Sequence, residues 1–349
     1  MELNEQLKKK ISRFLKKNKI SPFAKDDDFI LLAGGGSDRC YYRILAEDSS
    51  FVLMVSPAGK REITAFIDVG KFLFNTGIGV PEIIDVDEEG CLVLLEDLGD
   101  DSLYNVLSKA GSEKDVIKYY EKVLLFLAEM QIRPSFSLDR CNYLKHRTFG
   151  YESFRWETDY FIECFVRQFC EMAIPKESVL EDELNHLAFS LDKKPKYFMH
   201  RDFQSQNIHF KNGCVKAIDF QTATKGLLQY DLASLLKDAY FVIDEKTRDA
   251  LVDFYMDVLT EKWDMKIDRQ EFVKTFHLAG LQRNMQALGA FSFLGLQKGK
   301  KKFIRYIPAA LSSLKEALLI LPEYSVLKDT VLEAVKLTEN KDILSEDRV

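Results

Sequence analysis

Residues 200–207, His-Arg-Asp-Phe-Gln-Ser-Gln-Asn, restrict the possible fold of this chain more than any other stretch. Asp219 follows twelve residues after Asn207, in the segment Ala-Ile-Asp-Phe. The residues between Asn207 and Asp219 predict a strand, a Lys-Asn-Gly turn and a second strand. A hairpin of this kind would place Asn207 and Asp219 side by side, next to the loop that contains Asp202. The sequence therefore predicts that three oxygen-bearing side chains meet at one hairpin.

The residue types at these positions point to phosphoryl transfer. An Asp in a tight loop after a strand can orient and deprotonate an acceptor hydroxyl, and we assign this role to Asp202. Asn207 and Asp219 carry the hard oxygen ligands that Mg²⁺ prefers. We therefore predict transfer of a phosphoryl group from ATP to a hydroxyl, with ATP and Mg²⁺ as cofactors.

Three neighbouring residues are interpreted as supports of this loop. His200 is expected to be buried and to fix the loop through hydrogen bonds rather than to react. Arg201 is expected to pair with a carboxylate, and Asp231, near the start of a predicted helix, could anchor the loop.

The rest of the chain predicts an α+β protein with two lobes. An amphipathic helix at 3–18 precedes a five-stranded antiparallel sheet with one helix at about 61–75. Further helices are predicted at 116–130, 161–172, 232–240, 246–259, 270–294 and 308–320. The pattern is that of a protein-kinase-like fold, with a nucleotide-binding lobe at 1–96, a helical lobe at 97–349 and a hinge at about 96–100.

Two features of the predicted small lobe concern the ATP phosphates. Gly35, Gly36 and Ser37 form a turn between strands whose backbone N–H groups could close over phosphates, although a glycine-rich hairpin turn is common. In protein kinases the third strand carries a phosphate-binding Lys, but Met54 stands at about that position here. Either another cation replaces it, or the chain is an inactive pseudokinase scaffold. The candidate cations are Arg39, Arg43, Lys60 and Arg61.

The region around the predicted base favours a small acceptor. Gln204 stands two residues after Asp202, where protein kinases acting on Ser or Thr carry a Lys. About ten residues separate Phe220 from the next predicted helix, which leaves no platform for a peptide substrate.

Composition argues against several other classes of partner. A net charge of −6 in 349 residues disfavours nucleic acid and anionic membranes as ligands. The six cysteines are scattered and form no C-x-x-C pair, so they do not indicate a zinc site. Cysteines of this kind suit a reducing cytoplasm. The Lys-rich first twenty residues lack the apolar core of a signal peptide, and no apolar run is long enough to span a bilayer. We expect a cytoplasmic protein that is a monomer or a weak dimer.

Five segments of the sequence resemble the aminoglycoside phosphotransferase/choline kinase family of small-molecule kinases. They are 94–100, 200–207, 218–221, 230–236 and 280–289. Within the family, the chain is most similar to bacterial cell-wall sugar kinases that phosphorylate the anomeric hydroxyl of N-acetylmuramate and N-acetylglucosamine. The resemblance implies Asp202 as base, Asn207 and Asp219 as magnesium ligands, a backbone contact to adenine between Glu96 and Leu98, and a role in cell-wall recycling.

The acceptor pocket is expected in the helical lobe, where aromatic faces and polar groups could hold a sugar ring. The candidates are Trp156, Glu157, Tyr160, Gln282 and Arg283. Arg283 could pair with the carboxylate of a muramate. Alternatively, the aromatic residues are core and Arg283 is a structural ion pair. An aminoglycoside or choline as acceptor would leave the predicted mechanism unchanged.

Overall fold

A computed structural model describes residues 5–20, 29–32, 39–46, 49–56 and 60–340. The helices are α1 (Glu5–Lys17), α2 (Lys60–Asn75), α3 (Leu103–Ser108), α4 (Glu113–Ile132), α5 (Tyr151–Tyr160), α6 (Glu177–Asp192), α7 (Leu228–Leu236), α8 (Glu245–Trp263), α9 (Arg269–Leu296), α10 (Ile307–Ile320) and α11 (Ser325–Asn340). The strands are β1 (Phe29–Leu32), β2 (Cys40–Ala46), β3 (Ser49–Val55), β4 (Ile83–Asp87), β5 (Leu92–Glu96), β6 (Tyr197–Met199), β7 (Ile208–Lys211), β8 (Cys214–Ala217) and β9 (Thr224–Gly226). The predicted α+β class is confirmed.

The first five strands form the predicted antiparallel sheet, in the order β1-β2-β3-β5-β4. Because side chains alternate along a strand, the two faces of the sheet pack against different helices. Leu53 of β3 lies in a buried cluster with Leu15 of α1. Its neighbour Met54 lies on the other face, in the main core with Ile63 of α2. The amphipathic pattern of α1 is thus explained by one face of this sheet.

Most of the chain after β5 is helical, with α9 at the centre in contact with α5, α7 and α10. Two helix predictions were wrong in detail. The predicted helix at 232–240 is α7, which begins at Leu228 and ends at Leu236, because Asp238 bonds instead to the backbone of Ser205 and Tyr240. The predicted helix at 161–172 is a π-helical segment at Phe161–Phe169. No helix in the described ranges is both long enough and apolar enough to cross a membrane.

The hairpin predicted downstream of Asn207 is present as β7 and β8. Its register pairs Ile208 with Ala217, and the turn residues Asn212 and Gly213 both have positive φ, of 52° and 80°. An Asn-Gly pair is suited to this turn because both residues tolerate the left-handed conformation. The predicted strand, turn and second strand are therefore present, with Asn212 and Gly213 as the two turn residues.

Candidate active site

The loop after β6 is held by a buried carboxylate of α7. Asp231 accepts hydrogen bonds from the backbone N–H groups of His200 and Arg201, each at 2.8 Å, and from Gln131 Nε2 at 3.1 Å. These bonds hold Arg201 at a φ of 81°, a conformation that a non-glycine residue seldom adopts. Burial raises the pKa of Asp231 to about 7, against the opposing effect of the hydrogen bonds it accepts. Asp231 therefore fixes the backbone directly before Asp202.

His200 connects this loop to the hairpin. Its ring is fully buried, and Nε2 lies 3.0 Å from the carbonyl oxygen of Ile218. Burial lowers the pKa of His200, although the nearby carboxylates of Asp202 and Asp219 oppose the shift. The imidazole is thus placed to support the loop from inside the core.

A second buried network lies behind the loop, around Glu157 of α5. Its carboxylate accepts hydrogen bonds from the Tyr230 hydroxyl and from Gln282 Nε2, all at 3.0 Å, and Arg201 Nη2 lies 3.3 Å away. Glu157 and Gln282 have no exposed surface. Arg201 therefore has the carboxylate partner that the sequence suggested, and the network ties the loop to α5, α7 and α9.

The predicted base and the two predicted magnesium ligands lie together at the hairpin. Asn207 Nδ2 donates to the Asp202 carbonyl at 2.9 Å, and the Ile218 N–H donates to the Asn207 carbonyl at 2.9 Å. Asp219 follows at once, with a φ of 63°. The side chains of Asp202 and Asp219 remain about one third exposed, at 34% and 35%.

The oxygen atoms of this group fit a magnesium ion. Asn207 uses its amide nitrogen internally, which leaves its Oδ1 as a possible ligand. Asp219 accepts from Arg39 and Gln221 through Oδ1, and Oδ2 is left for a ligand. Within the described ranges, no group of three or more His, Cys, Asp or Glu side chains could hold a metal. A magnesium ion here would accordingly complete its octahedron with phosphate and water oxygens.

Asp202 and Asp219 both face a cavity of about 250 Å³. Its charged lining residues are the carboxylates Asp202, Asp219 and Asp238 and the cations Arg39, Lys237 and Arg283. Gln204, Tyr240 and Phe291 add an amide and two aromatic side chains. Because three carboxylates face three cations, the cavity has no excess of negative charge.

Arg283 of α9 connects the cavity to the predicted base. Its Nε donates to Ser234 Oγ at 3.0 Å, and its Nη2 lies 3.3 Å from Gln204 Oε1 and 3.6 Å from Asp202 Oδ1. The guanidinium is 8% exposed and is already hydrogen-bonded on two sides. Of the five acceptor-binding candidates, Arg283 is the one that lines the cavity.

The other four acceptor-binding candidates do not line this cavity. Glu157 and Gln282 are enclosed in the network behind the loop and have no exposed surface. Trp156 is 57% exposed and stacks on Tyr160 at a centroid distance of 5.2 Å. Consecutive residues of a helix point about 100° apart, which is why Trp156 faces outward while Glu157 faces inward.

The predicted hinge lies where β5 leaves the sheet. Glu96 pairs with Lys216 at 2.6 Å and Lys211 at 3.2 Å, both from the hairpin, and Leu98 is buried. Asp97 pairs with Arg43 of β2 at 2.6 Å. This segment therefore links the sheet to the hairpin through charge pairs on both sides.

Some of the predicted phosphate-binding residues cannot be placed. Gly35, Gly36 and Ser37 lie outside the described residues, as do the side chains of Lys60 and Arg61.

Among the residues that the sequence interpretation missed, Asp238 contacts the loop itself. Its carboxylate accepts from the backbone N–H groups of Ser205 at 2.8 Å and Tyr240 at 2.9 Å, so it fixes the far side of the loop. Burial raises its pKa, against the hydrogen bonds it accepts. Asp238 lies two residues beyond the end of α7 and 33 positions after Ser205, so no local pattern marks it.

Comparison with known proteins agrees with this geometry. The description "Phosphotransferase enzyme family" matches residues 28–264, more than half of the chain. The chain belongs to this family. An N-acetylmuramate/N-acetylglucosamine kinase of Neisseria meningitidis serogroup B is 27% identical over 302 residues, which cover 83% of this chain and 86% of that protein. This chain is accordingly a phosphotransferase that acts on a hydroxyl acceptor.

Solved structures show the same fold. An ADP-bound aminoglycoside phosphotransferase aligns with a TM-score of 0.57 at 16% identity, covering 90% of this phosphotransferase and 99% of that chain. A choline kinase from Streptococcus pneumoniae aligns with a TM-score of 0.57 at 13% identity, covering 89% and 100%. At these identities the likeness concerns the two-lobed kinase fold.

Proposed function

We propose that this phosphotransferase uses Mg²⁺ and ATP to phosphorylate a hydroxyl of an N-acetylated amino sugar, of the N-acetylmuramate or N-acetylglucosamine type. The observation that carries the proposal is the meeting of Asp202 and Asp219 at one cavity, beside Arg283. The amino-sugar kinase of N. meningitidis, which is similar along most of its length, supports the choice of acceptor.

In the proposed reaction, the Asp202 carboxylate accepts the proton of the acceptor hydroxyl. The hydroxyl oxygen forms a bond to the γ-phosphorus as the bond from that phosphorus to ADP breaks, and the proton passes to Asp202 late in this step. A magnesium ion held by Asn207 and Asp219 would neutralise the charge of the phosphates. Because Asp231 and Asp238 fix the loop on both sides, Asp202 is held in place before the acceptor arrives.

The proposed nucleotide site extends from the cavity to the sheet. The backbone between Glu96 and Leu98 would contact adenine, and Gly35, Gly36 and Ser37 would close over the phosphates. In this assignment residues 1–96 form the nucleotide lobe and 97–349 the acceptor lobe. A cytoplasmic location and a role in cell-wall recycling follow from the proposed substrates.

The cavity favours a sugar over a polycation. A sugar ring is recognised by a few polar groups and an aromatic face, and Gln204, Tyr240 and Phe291 would provide both types of contact. A polycationic aminoglycoside would gain from an excess of carboxylates, but the three acidic residues of the cavity are matched by three cations.

The test is ADP release with N-acetylglucosamine, N-acetylmuramate, an aminoglycoside and choline as separate acceptors. We expect turnover with the two amino sugars and turnover lower by at least tenfold with the others. The Asp202→Asn variant keeps the size of the side chain and removes the base, so it should lose activity by about 100-fold or more. Asp244→Asn is the matched control, since Asp244 caps the exposed start of α8 and Asn caps equally well.

Turnover of an aminoglycoside or choline but not of either amino sugar would contradict the acceptor assignment and leave the mechanism. If Asp202→Asn is as active as wild type, the assignment of Asp202 as base fails. An inactive wild-type protein that still binds ATP would support the scaffold alternative.

A further inference from the structure

The small sheet does not provide a cation where the third strand of a protein kinase carries one. Met54 is 1% exposed and lies in the main apolar core, beside Ile63 of α2. It is paired in register with Tyr41 of β2 and Val93 of β5. A cationic side chain that binds the phosphates of ATP must therefore come from another position.

Arg39, which directly precedes β2, lies on the same face of the sheet as Met54. Tyr41 is the cross-strand partner of Met54, and Arg39 stands two residues before Tyr41, so both share its face. The Arg39 side chain is 7% exposed yet borders the cavity. Its Nη1 lies 3.3 Å from the Tyr41 hydroxyl oxygen.

Arg39 bridges α2 and the hairpin. Its Nη2 lies 3.2 Å from Asp219 Oδ1, and its Nε lies 3.9 Å from Glu62 Oε1 in the first turn of α2. Glu62 is itself fixed by a 2.8 Å hydrogen bond from Ser56 Oγ. The arrangement joins a cation, a helix carboxylate and a predicted magnesium ligand.

The position of Asp219 relative to α2 is fixed by packing. Phe220, the next residue, is fully buried and stacks on Phe66 of α2 at a centroid distance of 4.8 Å. Gly70 of α2 contacts the same ring, since a Cβ there would lie 3.0 Å from it. Because this packing holds Asp219 and Glu62 at a set separation, Arg39 is held between them.

The other described candidates are engaged elsewhere. Arg43 pairs with Asp97 at 2.6 Å and Asp100 at 2.9 Å, next to the predicted hinge. Arg283, across the cavity, pairs with Asp202. Of the three cations that line the described cavity, Arg39 is the one in contact with Asp219.

We propose that Arg39 is the cation that binds the phosphates of ATP in this chain, with Glu62 as the residue that positions it. A guanidinium has five donors in a planar fork, so it can bind a phosphate oxygen while keeping a carboxylate partner. In the protein without nucleotide, Asp219 occupies part of this fork. The phosphates of ATP would take that place when they bind, and Asp219 Oδ1 would keep its hydrogen bond from Gln221 Nε2. The inference rests on the proposed use of ATP, and it is independent of the acceptor.

The test compares nucleotides that share adenosine and differ in phosphates. Equilibrium dissociation constants for adenosine, ADP and ATP with Mg²⁺ are measured by calorimetry for wild type, Arg39→Gln and Arg39→Lys. A hydrogen bond to a charged group contributes about 1.5–3 kcal/mol, so Arg39→Gln should weaken ATP binding by about 10- to 150-fold. Adenosine binding should change by less than twofold, and Arg39→Lys should recover part of the loss.

Two further variants make the result specific. Glu62→Gln should weaken ATP binding by less than Arg39→Gln does, and the double variant should be no weaker than Arg39→Gln alone. Arg13→Gln, on the exposed surface of α1, is the matched control and should bind ATP as wild type does. If Arg39→Gln does not fold, Arg39→Lys and Glu62→Gln still provide the comparison.

Unchanged ATP binding in folded Arg39→Gln would overturn the proposal. An equal loss of adenosine and ATP binding would also overturn it, because it would assign Arg39 a merely structural role. The test is separate from the acceptor test, since a protein that binds ATP but ignores amino sugars refutes the acceptor assignment and leaves the Arg39 comparison intact.

Discussion

The start of α11 is capped by a carboxylate from α6, and its replacement tests how much one long-range contact stabilises the helical part of the chain. Glu183 accepts from the backbone N–H groups of Val326 at 2.9 Å and Leu327 at 2.8 Å, and from Ser325 Oγ at 3.3 Å. It is 8% exposed, so water cannot replace it easily. The perturbation is Glu183→Gln, which keeps the size of the side chain and removes one acceptor oxygen and the charge.

The expected loss of stability follows from the hydrogen bonds that the two carboxylate oxygens of Glu183 accept. Val326 and Ser325 donate to Oε1, whereas Leu327 donates to Oε2, so a Gln side chain can serve one set and turns its NH₂ group toward the other. An unsatisfied buried donor costs about 1–3 kcal/mol, and a charge at a helix N-terminus contributes about 0.3–1 kcal/mol. We expect the free energy of unfolding to fall by about 1.5–4 kcal/mol. With an unfolding entropy of about 2.1 cal/mol/K per residue, this corresponds to about 2–5 °C in Tm.

The assay is thermal unfolding followed by circular dichroism, with kcat measured on the same samples. Glu181→Gln is the matched control, since Glu181 lies on the same helix, is 54% exposed at its side chain and pairs with Arg155 at 2.8 Å. Arg155 keeps Asp159 at 2.7 Å as a second partner, and a pair with an exposed carboxylate contributes about 0–1 kcal/mol, so this variant should lose less than about 1.5 °C. An unchanged Tm in Glu183→Gln, or an equal loss in Glu181→Gln, would refute the capping argument. We expect kcat to be unchanged in both variants, because α6 and α11 do not line the cavity.

Two other predictions concern the loop and the response to acid. Replacement of Asp231 by Ala removes the acceptor of two loop N–H groups, so Asp202 loses its fixed position; we expect kcat in the ADP-release assay to fall by about 100-fold, with KM for the acceptor changed less. Burial, and then the charges of Lys237 and Arg248, lower the pKa of His277 to about 4 from 6.5. Unfolded His277 therefore takes up a proton below pH 6.5 while folded His277 does not, so stability is present above pH 6.5 and is lost as the pH falls toward 4. Between pH 7 and pH 5 the loss is at most about 2 kcal/mol, and His277→Gln should show a smaller decrease in Tm over this range; equal decreases would contradict the assignment.

Local sequence signals predicted much of the fold. The strands of the sheet and the β7-β8 hairpin were predictable because alternation and an Asn-Gly turn are encoded within a few residues. The neighbourhood of Asp202, Asn207 and Asp219 follows from the same hairpin, so their spacing along the chain was enough to bring them together.

The remaining features depend on contacts between distant residues. Glu157 meets Tyr230 and Gln282, which are 73 and 125 positions away, and no local pattern tells whether it or Trp156 faces inward. The pairing of Arg39 with Asp219 spans 180 positions, so the sequence could propose several cations but could not select one. The π-helical segment after α5 was also hidden, because phenylalanines four apart suit an α-helix equally well.

Two carboxylates of the cavity each have an arginine partner from a different part of the chain. Asp219 pairs with Arg39 beside the sheet, and Asp202 pairs with Arg283 of α9, at 3.2 Å and 3.6 Å. In both pairs the carboxylate is partly exposed and the guanidinium is nearly buried. A ligand can therefore approach the aspartate while the arginine stays in place. A phosphate of ATP would compete with Asp219 for Arg39. The carboxylate of an N-acetylmuramate acceptor would compete with Asp202 for Arg283. ATP and the acceptor would then be recognised in the same way. Each substrate would bind an arginine and thereby separate it from the aspartate that takes part in the next step.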